Sequence, residues 1–304
     1  MTELLVLSPH LDDAVLSCGR LLACRRGAVA ATLFPGRPSP ASLTDWDRTC
    51  GFPDADTAVA TRRDEDRSAL ESLGATAVHC EILDRVNPRG EGWEEKLVAR
   101  IKSLVAEFNP GVLATPLGLF HQDHVAVRTA VLKVVAPDFN GRWLLYEDLP
   151  YARREGAAAE NERARDEFAR AGYALEAADV ELAPDFDAKL AAIYCYASQI
   201  RGMGYGSEEQ IRATFAVERY WRPAAGTLRC QDPRLVARRA TGAKMPEAIQ
   251  RQADGEKRLK RPAVGLLNRS GLAPREGSRY SPTRYHWERQ WKELTEEERY
   301  GKSG

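Results

Sequence analysis

The sequence predicts an α/β fold, a mostly parallel sheet flanked by helices, with a basic C-terminal extension after it. Three observations predict it. Short apolar runs of strand length alternate with longer runs of helical periodicity through the first half of the chain, the rhythm of βαβ units. Two tetrads rich in His and Asp each follow such an apolar run, where open α/β sheets place their ligands. From about Ala224 onward apolar periodicity fails, and Arg, Lys, Gly and Pro dominate.

Taken in order, strands are expected at 4–8, 29–34, 77–83, 111–115 and 143–146. Helices are expected between them at about 14–25, 58–73, 93–107 and 123–135. The third helix carries Trp93, Leu97, Ile101 and Leu104 as an amphipathic stripe. The 36–57 stretch is rich in Pro, Gly, Ser, Thr and Asp and too long for a tight connection, so it reads as a functional loop. After Pro150 the pattern changes to a charged helix at 160–171, a strand at 173–182, and helices at 186–200 and 208–220. One short helix is expected at 285–300, with Trp287 and Trp291 one turn apart. The organisation implied is a domain over 1–223 and a basic extension over 224–304, partly disordered by its composition.

At 304 residues the chain can bury a full core, and its 43% hydrophobic and 29% charged residues are ordinary for a globular protein. No signal-peptide series opens it, and no run approaches the roughly 18 apolar residues of a membrane span. Its six cysteines are dispersed, with no C-x-x-C pair, and read as reduced thiols of a cytoplasmic protein. The formal net charge of zero conceals a basic excess of roughly eight after Arg234. That tail lacks the aromatic and glycine patterning of an RNA-binding module, which argues against nucleic acid as partner. Homo-oligomerisation is left open.

The tetrads carry the chemistry. His10-Leu11-Asp12-Asp13 follows Leu4-Leu5-Val6-Leu7, and His121-Gln122-Asp123-His124 follows Val112-Leu113-Ala114. Three of the five histidines sit there, beside three aspartates. Imidazole and carboxylate are what a catalytic divalent metal accepts, with three protein ligands and one open position. Such a cation lowers the pKa of its water toward about 7 and polarises a carbonyl, which hydrolysis of an unactivated amide requires. His10, Asp13 and His124 can form the three-ligand set. Asp12 points elsewhere and is the candidate base, and His121 can face the carbonyl oxygen as an imidazolium. Asp123 can orient one of these imidazoles. Taken singly, Asp12 and Asp123 would pass as helix-start residues and a lone His as structural. Caps do not explain a His three residues before an Asp in one loop and three before another His in a second.

Ser8-Pro9-His10-Leu11-Asp12-Asp13 and His121-Gln122-Asp123-His124 resemble the P-H-x-D-D and H-x-D-H signatures of the PIG-L/LmbE-like zinc-dependent N-acetylglucosaminyl deacetylases. Further likeness lies in Arg62, Glu65, Ala69, Leu73 and Gly74, in Lys189 through Ser198-Gln199, and in Glu218-Arg219-Tyr220-Trp221-Arg222, covering about residues 3–223. The resemblance implies a Rossmann-like sheet and a metal-dependent hydrolase that removes an N-acetyl group from an N-acetylglucosamine-type sugar in a glycoconjugate or secondary metabolite. It implies His10, Asp13 and His124 as ligands to zinc, for which Fe²⁺ or Co²⁺ would also suit a His₂Asp set. It implies Asp12 as general base and His121 as the group that stabilises the oxyanion and protonates the amine. Arg62 and Asp84 are its substrate-binding positions, against the plainer readings of a helix ion pair with Glu65 or Asp66 and of a turn. The sequence departs from the pattern at Gln122, where relatives often have Pro, and at Leu119-Phe120, where some have a tyrosine. Tyr146 and Tyr151 read as a buried aromatic pair that would otherwise line the pocket. Other readings are an amidase on a larger sugar–thiol conjugate, a Rossmann-like sugar- or nucleotide-binding protein, and a silent scaffold. The absence of a Gly-rich phosphate loop after the first strand weighs against nucleotide.

Overall fold

The computed structural model describes residues 2–37, 42–87 and 89–224. The expected helix at 285–300, with Trp287 and Trp291, and the extension beyond Ala224 lie outside the described residues. Five strands run parallel: β1 (Leu4–Ser8), β2 (Val29–Thr32), β3 (Thr76–His79), β4 (Val112–Pro116) and β5 (Arg142–Tyr146). Two more complete the sheet, β6 (Leu175–Ala177) and β7 (Tyr220–Pro223), in the order β3-β2-β1-β4-β5-β7-β6. β7 is antiparallel to both neighbours. The α/β class and the mostly parallel sheet are as expected.

Helices α1 (Asp13–Ala23), α2 (Asp45–Thr49), α3 (Ala55–Ser72), α4 (Trp93–Phe108), α5 (Gln122–Asp138), α6 (Ala157–Arg170), α7 (Asp187–Tyr194), α8 (Ala197–Met203) and α9 (Glu208–Phe215) cover the sheet. Strand alternation divides the core. Leu4 and Val6 pack in a cluster with residues of α1, α3 and α7, while Leu5 and Leu7 face the opposite cluster with α4 and α5. The stripe on α4 buries Leu97, Ile101 and Leu104, each contributing about 1.5–3 kcal/mol by removal from water.

Three expectations are corrected. The strand at 173–182 shrinks to Leu175–Ala177, because only that stretch finds a ladder partner, on β7. The helix at 186–200 is two helices, interrupted at Cys195 and Tyr196. The helix at 208–220 ends at Phe215, and Tyr220 already belongs to β7, whose pairing with β5 overrides helical continuation. The 36–57 loop also holds α2, started by a reciprocal capping pair between Thr44 and Asp47. The five described cysteines are free thiols. Among the described residues no helix is long and apolar enough to cross a membrane.

Candidate metal centre and active site

The sheet order fixes where the site must be. β1 has β2 on one side and β4 on the other, so the connections leaving the C-terminal ends of β1 and β4 diverge to opposite faces and open a crevice between them. The first tetrad leaves β1 and the second follows β4.

The first loop is held by Ser8, whose Oγ donates to the His10 carbonyl at 2.7 Å and accepts from the Ala14 N–H at 2.9 Å. Asp13 Oδ2 accepts from the His10 N–H at 2.8 Å. Asp12 occupies the N-cap position of α1, yet its side chain makes no capping bond. The helix-cap explanation of this carboxylate therefore fails. In the second loop Gly118, at φ +83°, lies so close to α5 that a Cβ would sit 2.9 Å from Arg128 Cβ and 3.0 Å from the His124 carbonyl. Phe120 has φ +58°, in the left-handed region, and the His121 N–H closes onto the Leu119 carbonyl at 2.6 Å. A bulky residue in that region costs on the order of 1–3 kcal/mol, a strain characteristic of functional loops.

His10 Nδ1, Asp13 Oδ2 and His124 Nε2 form a triangle with edges of 3.2, 3.1 and 3.3 Å. Tetrahedral bonds of about 2.0–2.1 Å to a divalent cation would put such atoms about 3.4 Å apart. The other ring nitrogens are committed: His10 Nε2 bonds Asp123 Oδ2 at 2.9 Å and His124 Nδ1 bonds Asp148 Oδ1 at 2.5 Å. With those nitrogens donating, the two remaining lone pairs face each other and a carboxylate oxygen, an arrangement that demands a cation or added protons. The set fits a divalent metal. His121 offers a further nitrogen, within 4.8 Å of the His10 and His124 ligand atoms.

Protonation follows the same logic. Burial alone would lower His10, but hydrogen bonds to Asp123 and Asp13 raise it to about 9. Burial likewise opposes His124, and the charges of Asp13 and Asp148 outweigh it, raising it to about 10. Burial would raise Asp13, yet His124 and His10 hold it far below the usual range. Burial and neighbouring Asp13 push Asp12 up to about 7, against the pull of Arg62 and His10. His121 goes the other way: burial and the charge of His10 lower it well below 6.5. Its Nδ1 accepts the Asp123 backbone N–H at 3.2 Å, so the neutral ring carries its proton on Nε2. That direction favours a neutral N–H donor over the imidazolium expected at this position.

Asp123 is fully buried, and its carboxylate supports His10; His121 Nδ1 stands 3.9 Å away. It is turned to the His10 ring from a fully buried position. Asp148 plays the same part for His124, and its Oδ2 accepts from the N–H groups of Gly118 and Leu119 at 2.8 and 3.2 Å. Sequence reasoning missed Asp148, because an Asp after a fifth strand has no spacing that marks it. Arg62 forms no pair with Glu65 or Asp66. Glu65 accepts from Ser198 and Asp66 from Tyr196, while Arg62 Nε is buried without a hydrogen-bond partner. Asp84 does close a turn, accepting from Asn87 Nδ2 at 2.8 Å, and its neighbour Arg85 donates its N–H to Asp123. Tyr146 and Tyr151 are not a pair. Tyr146 is in the core with its hydroxyl on the Leu7 carbonyl, whereas Tyr151 stands edge-on to His124 at 5.1 Å between ring centres.

An open α/β sheet with a His₂Asp triangle at its switch point defines an α/β protein with a candidate divalent-metal centre. Residues 5–135 match the family described as PIG-L: GlcNAc-PI de-N-acetylase, the family whose signatures the two tetrads resemble. No curated protein matches the sequence. A triple mutant of the deacetylase Orf2*T of teicoplanin biosynthesis is 27% identical over 74% of this chain and 100% of its own, with TM-score 0.60. The zinc-inhibited form of teicoplanin deacetylase Orf2 is 27% identical over 73% of this chain and 97% of its own, with TM-score 0.57. The A40926 pseudoaglycone deacetylase Dbv21 shares the fold at 24% identity, covering 75% of this chain and 98% of its own, with TM-score 0.57.

Proposed function

We propose that this protein is a metal-dependent N-deacetylase that removes the acetyl group from an N-acetylglucosamine-type amino sugar of a glycoconjugate or secondary metabolite. The observation that carries the reading is the triangle of His10, Asp13 and His124 with the uncapped carboxylate of Asp12 beside it. The family description and the solved deacetylases of teicoplanin biosynthesis support the same bond and the same kind of substrate. A divalent metal held by those three residues would supply Lewis acidity and an acidified water. Zinc is the reference ion. Since one solved relative is described as zinc-inhibited, Fe²⁺ and Co²⁺ are tested beside it.

The chain's own groups do the rest. The Asp12 carboxylate accepts the proton of the attacking water and returns it to the departing amine; a carboxyl pushed toward 7 can do both near neutral pH. The neutral His121 donates from Nε2–H to the carbonyl oxygen as negative charge develops there. The partnerless Arg62 guanidinium N–H is suited to a sugar hydroxyl, and Asp84, on the neighbouring loop, to a second. The test is acetate release from N-acetylglucosamine conjugates by metal-loaded and chelated protein. Release that persists unchanged after complete chelation would exclude the metal-dependent reading.

A further inference from the structure

Asp123 has a partner that lies outside both tetrads. Besides His10 Nε2 and the Arg85 N–H, its buried carboxylate is ion-paired through Oδ1 to the guanidinium of Arg89. Arg89 is itself tightly placed. Its Nε donates to the Leu83 carbonyl at 2.8 Å, and its guanidinium lies 4.6 Å from the centre of the Phe34 ring and 4.2 Å from that of Trp93. Phe34 follows the sheet strand β2 and Trp93 opens α4, so the arginine lies against rings from two separate parts of the fold. Only about a tenth of its side chain is exposed.

A carboxylate buried beside a metal ligand has two requirements. It must stay ionised to accept from the imidazole, and it must not rotate, because rotation would turn the accepting oxygen away from the ring. A planar guanidinium meets both, supplying opposite charge and a fixed donor direction that a flexible ammonium lacks. We infer that Arg89 is a positioning residue of the metal centre, acting through Asp123 and then His10. It fixes the Asp123 plane, Asp123 fixes the His10 ring by its Nε2–H, and the Nδ1 lone pair is thereby aimed into the triangle. This rests on the metal reading above. The same chain of contacts ties the loop at 84–87, which carries Asp84, to the metal centre. By linkage, metal binding and the placement of that loop stabilise each other.

The test is a Co²⁺ titration of the full chain, followed by the visible absorption of the bound ion. Arg89→Met keeps an unbranched stem between the two rings and removes the charge and donors. It should weaken Co²⁺ binding about 10–100-fold, the usual effect of losing an outer-shell partner. Arg89→Lys should restore part of that loss. In an Asp123→Asn background, Arg89→Met should add less than a twofold change, because the route to His10 is already cut. Binding by Arg89→Met within twofold of wild type would overturn the inference. So would an equal loss in both backgrounds, which marks a general structural effect. If Arg89→Met does not fold, Arg89→Lys compared in the two backgrounds decides between the same outcomes. A wild-type protein that takes up no cobalt fails at an earlier point, sinking the metal reading itself before any variant is compared.

Discussion

Asp148→Asn separates the orienting role of this buried carboxylate from mere packing, because the substitution preserves shape and changes only charge and donor pattern. Asp148 Oδ1 faces His124 Nδ1 at 2.5 Å, and Oδ2 accepts two backbone N–H groups, from Gly118 and Leu119. An amide has one oxygen to offer. Turned so that NH₂ meets the two backbone donors, it leaves both unsatisfied at about 1–3 kcal/mol each. Turned the other way, it sets NH₂ against the Nδ1–H that metal binding requires, since the Nε2 lone pair is one corner of the triangle. The second arrangement is cheaper without metal, because the ring can move its proton to Nε2. That proton then points at the ion's position. Metal affinity should fall about 10–100-fold, or about 1.4–2.7 kcal/mol, while metal-stripped protein loses no more than about 1–3 kcal/mol of stability. Cobalt titration and urea unfolding of chelated protein measure the two quantities. A folded Asp148→Asn with affinity within twofold of wild type would refute the assignment of Asp148 to His124.

The pH dependence of metal binding follows from the same residues: His10 near 9 and His124 near 10 are both protonated at neutral pH in metal-stripped protein, so binding must expel about two protons. Affinity should rise by about two log units per pH unit between pH 6.5 and 9, and a flat profile contradicts the ligand set. In the stripped protein these raised values contribute stability that is fully present below about pH 6.5 and lost as pH rises through 9 and 10, readable by urea unfolding across that window. Asp12→Asn should keep metal and fold and lose on the order of 10²–10⁴ in kcat; loss of metal would make it a ligand, and normal turnover would end its role as base. His121→Ala should lower kcat about 10²–10³-fold without reshaping the alkaline limb of the pH profile, because the native ring is already neutral there. Truncation after Gln231 should leave a folded, metal-binding domain, since β7 closes the described sheet by Pro223; an insoluble product would show that the extension is part of the core.

Much of this was legible in the sequence because it depends on local period and on single junctions. The first five strands and the helices between them follow from runs such as Leu4-Leu5-Val6-Leu7 and the α4 stripe, and β1 begins with its apolar run and ends one residue past it, at Ser8. The tetrads were legible because two junctions carry rare residue types at ligand spacing. What failed depends on distant partners. β7 is a strand because β5 offers an edge at Tyr146, which nothing near Tyr220 announces. Asp148 reaches His124, and Arg89 reaches Asp123, from connections with no motif, and Asp123 is held by Arg85 and Arg89, 38 and 34 residues away in sequence.

The weaker likenesses after Pro150 acquire a physical meaning once these partners are seen. Helix α1 leaves helical geometry at Cys18, with φ −131° and ψ 15°, which frees backbone donors in its middle. Glu218 takes them: its carboxylate accepts from the Arg20 N–H at 2.8 Å and the Leu21 N–H at 3.3 Å, and from the Tyr220 hydroxyl at 2.7 Å. Lys189 neutralises it at 2.7 Å, fully buried, with its stem so close to Gly19 that a Cβ there would lie 2.5 Å from Lys189 Cγ. Arg62 and Glu65 share α3, where Glu65 is held by Ser198 and Arg62, its buried Nε without a hydrogen-bond partner, acts on Asp12 by its charge. Glu65 with Ser198, and Lys189 with Glu218, are thus contacts between separate stretches of the resemblance. The Lys189–Glu218 pair secures the helix that carries Asp13, and the Glu65–Ser198 pair secures the helix that carries Arg62. A buried ion pair adds little net stability over apolar packing, but removing one partner strands the other at a cost of about 3–5 kcal/mol. Residues far from the crevice are tied to the metal centre in this way, since a shift of α1 would move Asp13 out of a triangle whose edges leave no slack.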